Sequence, residues 1–361
     1  MSSLRSMAHN INRESRKVSQ SHCGAGPEGN CQSLGTISRS SFRGSCPVCK
    51  AESRHLWSAQ TWHLPFSQVR FGLAECNQCG TIFCIPRPTP AQLERLYTEF
   101  YNYHWFEQRL LFKKIQGWHR WARLRGLLEE LRQHKGRLLD VGCGHGLFLI
   151  WAKRDGWDAV GIDYPSVATK YARERLSLHI FESDVVSVIH DKCEDIGLFD
   201  LVTLWHCLEH SIDPILFGSC VTQLLKPSGK ILIAVPNGLS QGMRLKRERW
   251  VWCQEPFVHT VHFTPNSLIK LADRIGLRCL SVWSRDTWDA NRLFDIYLNV
   301  WVWRMSSILK GRISGKIGFL FEEACRLACY SIGGFRHWGL GREAVPEHGS
   351  ELLFLGERGA V

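Results

Sequence analysis

Four cysteines fall in two matched pairs. Cys46-Pro47-Val48-Cys49 and Cys76-Asn77-Gln78-Cys79 are separated by 26 residues, and Gly80 gives the second knuckle room to turn. Each Cys-x-x-Cys knuckle can give two thiolates to one tetrahedral Zn²⁺, so two of them predict a closed, structural zinc site. Four unrelated thiols or a redox pair is the alternative. Zinc would fold a piece of roughly 45 residues, which is too small to build a good core alone. Cys84, Cys143 and Cys207 lack a paired spacing and read as packing residues.

A second cluster is a glycine loop, Leu138-Leu139-Asp140-Val141-Gly142-Cys143-Gly144-His145-Gly146. Glycines there let the backbone turn sharply and approach a ligand closely. Asp163 follows 21 residues after Gly142, where a carboxylate can grip ribose hydroxyls. A dinucleotide site would want G-x-G-x-x-G. Here the third glycine comes one residue early, with Leu147 in its place, so the loop matches a pyrophosphate poorly. A third cluster is His206-Cys207-Leu208-Glu209-His210, whose titratable side chains could act as a general base or hold a metal. Glu209 and His210 could equally buttress the next helix.

The elements that must carry these groups alternate. Residues 138–141, 158–162, 179–182, 199–205, 230–235, 278–283 and 351–355 read as strands. Residues 147–154, 167–176, 215–225 and 264–275 read as helices, the last opening on Thr264-Pro265. Strands alternating with helices predict an α/β fold with a parallel sheet covered on both faces. The sequence divides into a basic, disordered tail (1–44), a zinc ribbon (45–90), a helical linker or cap (91–136) and an α/β domain (137–361) with an insertion at 286–348. The linker opens on Thr89-Pro90, an N-cap followed by proline at the first helical position. Residues 103–137 hold nine Lys/Arg against three Glu.

Composition sets outer bounds. In 361 residues, 44% are apolar and 22% charged, which excludes wholesale disorder, collagen-like fibre and a coiled coil. The apolar runs are too short, and too interrupted by Pro, Gly or Ser, for a spanning helix. The first residues have no apolar h-region, so no secretory signal is expected. With 15 cysteines, an odd number, a reducing and therefore cytoplasmic setting is expected. The net charge of +11 suggests an anionic partner (nucleic acid, phospholipid, phosphorylated or acidic substrate) without choosing among them.

Taken together, these residues resemble the class I S-adenosylmethionine-dependent methyltransferases. The glycine loop with Asp140, Gly142, Gly144 and Gly146 looks like that family's first motif. Phe199-Asp200 to His206 looks like its fourth-strand motif, and Leu225-Lys226-Pro227-Ser228-Gly229 like the turn before its fifth strand. The resemblance implies a Rossmann-like seven-stranded sheet with its last strand antiparallel and inserted beside the fifth. It implies S-adenosyl-L-methionine as cofactor, with Asp163 at the ribose, Asp184 near the adenine amino group, and Asp140 behind the loop, orienting amides or the methionine end of the cofactor. A capping carboxylate is the alternative for Asp140.

The stretch ending Glu209-His210 is similar to that of ubiquinone-biosynthesis O-methyltransferases, whose Glu-x-x-Glu-His version binds a divalent metal. His206 replaces the first Glu here, and hard cations prefer oxygen. The cysteine pairs, with Pro86-Arg87-Pro88-Thr89 after them, resemble the N-terminal zinc ribbon found before some class I methyltransferases.

The implied activity is methyl transfer to a small-molecule, sugar or lipid-linked glycan acceptor, with His206, His210 and His259 as candidate catalytic residues. The loop 239–263, where basic and aromatic residues interleave, is expected to lie on the substrate side. The runners-up are an rRNA or tRNA methyltransferase, to which the positive charge would suit nucleic acid, and a cofactor-binding scaffold that has lost catalysis. Residues 293–332 could cap a lipophilic substrate or touch a membrane surface; a cap packed on the sheet edge is the plainer reading. No sequence feature specifies an oligomeric state.

Overall fold

Strands β4 (Arg137–Val141), β5 (Asp158–Asp163), β6 (His179–Glu182), β7 (Phe199–Trp205) and β8 (Leu225–Pro236) lie parallel, and their residues alternate between two cores. Leu139, Val202 and Ile233 face one side; Leu138, Leu201 and Leu232 face the other. Burial on both faces explains why these strands are almost uninterrupted runs of Val, Ile and Leu. Each such side chain contributes roughly 1.5–3 kcal/mol when fully buried. Strands β10 (Leu277–Arg285) and β11 (Glu351–Arg358) complete a seven-stranded sheet of order β10-β11-β8-β7-β4-β5-β6. The last strand, β11, is antiparallel to both β8 and β10, as the sequence resemblance implied.

The structure is a computed structural model that describes residues 44–60, 70–95, 117–118, 120–122, 124, 135–164, 166–247, 250, 258–285 and 349–359. The expected tail at 1–44 (but for its last residue), most of the linker, and the insertion at 286–348 with its 293–332 segment lie outside them. Among the described residues no helix is long and apolar enough to cross a membrane.

One face of the sheet carries α2 (Leu147–Arg154) and the helical residues 117, 118, 120–122 and 124, of which Trp121 and Leu124 pack with Phe148 and Leu149. The other carries α4 (Val185–Ile196), α5 (Pro214–Gln223) and α7 (Pro265–Arg274). Helix α3 (Val167–Leu176) and the short α1 (Pro90–Arg95) and α6 (Gln241–Lys246) complete the set. Caps end these helices where the sequence supplies them. Asp213 accepts from the amides of Ile215 and Leu216, and Thr264 and Ser267 form a reciprocal capping box before α7.

A second sheet is antiparallel throughout: β1 (Ser53–Gln60), β2 (Arg70–Cys76), β3 (Ile82–Ile85) and β9 (Val261–His262). Three strands come from the cysteine-bearing segment and the fourth from the loop after β8. The sheet therefore crosses the boundary expected at residue 90.

Three local features differ from the sequence reading. Helix α4 was not anticipated, although Asp184 caps it. Strand β9 is too short for a periodic signal. The expected turn at 225–229 lies within β8: Ser228 takes φ 60°, and the pairing with β7 slips between Phe199 and Leu201. The turn chemistry is present, but hydrogen bonding continues through it.

Candidate active site

The carboxyl ends of β4 to β8 converge on one edge, where the sheet's winding reverses beside β4 and open α/β sheets bind ligands. Gly142, Asp163, Asp184, His206 and Asn237 all lie at or just beyond these ends. The glycine loop is pinned from below by Gly142 and Cys143 donating to the Ile162 carbonyl at 2.8 and 3.3 Å. Asp163 then accepts from the Gly144 amide at 2.6 Å and the Tyr164 amide at 2.7 Å.

Gly144 takes φ 53°, and a side chain built there would meet nothing within 4 Å, so the loop turns its barest backbone to open space. Gly146 takes φ 65°, and a Cβ on it would come within 2.3 Å of Leu178, so this glycine serves packing.

Asp140 and Asp184 differ in setting. Asp140 is buried on β4 and accepts from the Thr203 hydroxyl at 2.8 Å. Burial pushes its carboxyl up to about 7, against the pull of Thr203 and of the nearby Arg120. The Arg120 guanidinium lies 5.6 Å from the centre of the Trp205 ring. Asp184 caps α4: one oxygen accepts from the Val186 and Ser187 amides at 2.9 and 3.0 Å, the other from the Ser187 hydroxyl at 2.6 Å.

Beyond β7 the chain enters the short 3₁₀ turn Leu208–His210 through His206, which holds a left-handed φ of 54°. Such a conformation costs on the order of 1–3 kcal/mol and persists where surroundings over-determine it. Here two carboxylates do so. His206 Nε2 lies 2.6 Å from Glu351, and Nδ1 lies 3.3 Å from the fully buried Glu209. Burial alone would lower the pKa of this ring; Glu209 and Glu351 outweigh it and hold it at about 9. Glu351 opens β11 and is also paired with Arg285 of β10. Burial would raise its carboxyl, but Arg285 and His206 hold it well below the usual carboxylate range.

His210 and His259 form a different pair, with ring centroids 4.9 Å apart. His210 Nδ1 lies 2.7 Å from the Val258 carbonyl. A carbonyl only accepts, so Nδ1 carries the proton and the lone pair of the neutral ring sits on Nε2. That nitrogen is 3.9 Å from Glu209. His262 is fully buried near Trp250, and burial lowers it to about 4, which keeps it neutral. One metal-ligand atom each from Glu209, His210 and His259 lies within 4.8 Å of the others.

The four thiols meet as the spacing predicts. One ligand atom from each of Cys46, Cys49, Cys76 and Cys79 lies within 4.8 Å of the rest, with Cys46–Cys79 at 3.6 Å and Cys49–Cys76 at 3.3 Å. Tetrahedral Zn–S bonds of about 2.3 Å would put sulfurs about 3.8 Å apart. The amides of Val48 and Cys49 point at the Cys46 sulfur, at 3.3 and 3.4 Å, and those of Gln78 and Cys79 at the Cys76 sulfur, both at 3.4 Å. Backbone donors aimed at sulfur suit thiolate ligands, so the donor set fits a structural zinc. Cys84 and Cys143 are buried packing residues, and Cys207 fills the space a Cβ on Gly142 would need.

The sequence reading did not single out Arg120, Thr203, Arg285 or Glu351. Arg285 and Glu351 are far apart in the chain, and the only local signal was a charge at or beside the end of a strand-like run.

Residues 112–282 match a family model described as a methyltransferase domain. The ubiquinone biosynthesis O-methyltransferase of Xanthomonas axonopodis pv. citri (strain 306) is 36% identical over 122 residues, 32% of this chain and 49% of that protein. That of Pectobacterium carotovorum subsp. carotovorum (strain PC1) is 34% identical over 107 residues, 28% of this chain and 43% of that protein. The chain thus spans about half the length of the curated relatives it matches. Among solved structures, a SAM-dependent methyltransferase from Archaeoglobus fulgidus is 17% identical, covering 67% of this chain and 94% of that one, with a TM-score of 0.40. The strand order, the glycine loop at the sheet's switch point and the matched domain make this a class I S-adenosylmethionine-dependent methyltransferase fold, related to small-molecule methyltransferases and joined to an N-terminal cysteine cluster able to bind a metal.

Proposed function

We propose that this protein transfers a methyl group from S-adenosyl-L-methionine to a small-molecule acceptor, a sugar or lipid-linked glycan among the candidates. One observation carries the reading: Gly144 bares its backbone beside Asp163 at the edge where the sheet's winding reverses. When bound there, the cofactor supplies a sulfonium-activated methyl. Asp163 is held by two amides and keeps lone pairs for ribose hydroxyls. Asp184, one oxygen of which takes only the Ser187 hydroxyl among the described residues, is assigned to the adenine side. Asp140 sits behind the loop and orients it from a buried site shared with Thr203 and Arg120.

On the acceptor side, His210 and His259 are the candidate catalytic residues. A hydroxyl acceptor must lose a proton as the new bond forms, and His210 Nε2 is the lone pair its hydrogen bonding leaves for that task. His206 takes a different role from the base first considered for it. Hydrogen-bonded to Glu351 through Nε2, with Glu209 close to Nδ1 and its pKa raised to about 9, it holds these carboxyl groups in place rather than accepting a proton. Zinc on the four cysteines is structural in this reading.

The test has two stages. Calorimetry with S-adenosylhomocysteine should show binding to the wild type, and preference for NAD would sink the proposal. Labelled methyl transfer into fractionated extract, with and without RNase, should then place the label in a small-molecule or glycan fraction; label confined to RNA would refute the acceptor class.

A further inference from the structure

The acceptor side does not stand on the seven-stranded sheet alone. The segment carrying His259 and His262 is stitched between the two sheets. On one side β9 pairs with β3, Ile82 opposite His262 and Phe83 opposite Val261, and Cys84 donates to the Thr260 carbonyl at 3.2 Å. On the other, Gly238 donates to the Phe263 carbonyl at 2.7 Å. Thr260 in turn grips the turn that carries His210: its amide donates to the Glu209 carbonyl at 2.9 Å, and its hydroxyl lies 2.8 Å from the Ser211 carbonyl.

Arg87, just beyond β3, reaches the same turn. Its guanidinium donates to the Ser211 carbonyl at 3.2 Å and also to that of Ile212. The knuckles themselves are tied in. Thr264 and Asn266 donate to the Cys79 carbonyl at 3.2 and 3.3 Å, and Arg274 to the Val48 carbonyl at 3.1 Å. Met243 and Trp250, from the loop expected on the substrate side, are buried in one cluster with Phe71, Leu73, Ile82 and Cys84.

We propose that the cysteine module is a positioning element of the acceptor side. With metal on its four thiolates, it holds β3 and Arg87 in place, and these fix the turn of His210 and the strand beside His259. This rests on the methyltransferase reading above. The physical ground is that a small module with four thiol ligands depends on its metal for order. Loss of the metal removes β9's partner strand and the anchor of residues 209–212. The glycine loop is pinned instead by β5, through Ile162 and Asp163, and is spared.

Hydrogen exchange on the full chain tests this. The zinc-loaded wild type is compared with the same protein after chelation and with Cys46→Ser/Cys76→Ser, and S-adenosylhomocysteine affinity is measured in parallel. Amides in 206–212 and 258–264 should exchange about tenfold faster or more without metal, while those in 138–147 change little. Affinity for S-adenosylhomocysteine should stay within about threefold, less than 1 kcal/mol.

Arg87→Met keeps the zinc site and should speed exchange in 209–212 and shift the His210 and His259 imidazole resonances, with zinc stoichiometry unchanged; Arg87→Lys should restore part of both. Unchanged exchange in 206–212 and 258–264 on metal loss would overturn the proposal. So would faster exchange throughout the chain with loss of S-adenosylhomocysteine binding, since the module would then support the whole fold. A zinc-loaded wild type that binds no S-adenosylhomocysteine, yet shows the split exchange, would refute the methyltransferase reading and leave the coupling standing.

Discussion

The two halves proposed for the site, one for the cofactor and one for the acceptor, are built by different rules. The cofactor half is assembled from consecutive segments: loop 142–146, then Asp163, then Asp184, each at the end of the next parallel strand. The acceptor half is assembled from distant ones. His210 follows β7, His259 precedes β9, and both rest on strand and arginine contacts from residues 82–87. Proximity in sequence makes the first half locally encoded and tolerant of changes elsewhere. The second half inherits the stability of whatever packs beneath it.

The sharpest way to break this contrast is to damage the cofactor half alone. Gly144→Val places a branched side chain in a left-handed backbone that faces open space, and Asp163→Ala removes the acceptor that pins Gly144. Each should weaken S-adenosylhomocysteine binding by about 100-fold or more, roughly 2.7 kcal/mol, with the fold and zinc content intact. Retained affinity in both variants would mean that the loop is only a tight turn.

Damage to the cysteine centre should have a large but different effect. Metal analysis of the purified protein should find about one zinc per chain, from the four-ligand logic of the site. Cys76→Ser should lower that content and expose residues 45–85 to proteolysis. Full zinc retention in Cys46→Ser/Cys76→Ser would remove the site, and with it the contrast drawn between the halves.

The same contrast explains what the sequence could tell. The central strands were legible because both faces are buried, so residues such as Leu138 and Leu139 are apolar in succession rather than alternately. The glycine loop and the cysteine knuckles are contiguous motifs whose spacing carries their geometry. Strand β9 was not legible, because two residues hold no period and its partner lies some 180 positions earlier, at Ile82 and Phe83. Arg285 and Glu351 were missed for a similar reason: their meaning comes from β10 and β11 lying side by side at His206. Helix α4 was missed although its signal was local. Asp184 was read as a ligand-facing acid, and its fit as an N-cap before an amphipathic run was passed over.

Within the acceptor half, the two kinds of histidine should separate. If the acceptor is a hydroxyl, His210→Ala or His259→Ala should lower turnover by about 10²–10⁴ and leave S-adenosylhomocysteine affinity nearly unchanged. Steady-state methyl transfer on the acceptor found by fractionation measures this. Turnover near wild type in both variants would remove the base and leave alignment as the source of rate, as suits an acceptor that is already nucleophilic.

The smallest expected effect concerns His206 and is read in stability. Its folded pKa of about 9 lies above the ordinary histidine value near 6.5, because Glu209 and Glu351 overcome the cost of burial. A raised histidine contributes stability that is fully present below about pH 6.5 and lost as pH rises through about 9, on the order of 3 kcal/mol. Asp140 also slopes downward with pH but in a lower window. Its carboxyl, raised to about 7 by burial, favours the protonated fold, so its penalty grows from about pH 4 to 7 and is complete before the His206 window has closed. The buried His262, held down to about 4, contributes the opposite slope between about pH 4 and 6.5 and offsets Asp140 there. Urea unfolding from pH 5 to 9.5 should therefore show its clear decline between about pH 6.5 and 9. Glu351→Gln takes one carboxylate from His206 and leaves Arg285 without its partner, so this variant should be less stable at every pH. Its slope between pH 6.5 and 9 should nonetheless be shallower than wild type, because the imidazolium has less to lose. Asp140→Asn should let stability rise with pH up to about 6.5, where His262 then acts unopposed, and should leave the alkaline limb unchanged. An alkaline slope unchanged by Glu351→Gln would show that His206 is not held as an imidazolium by this pair, and would return it to the set of candidate bases.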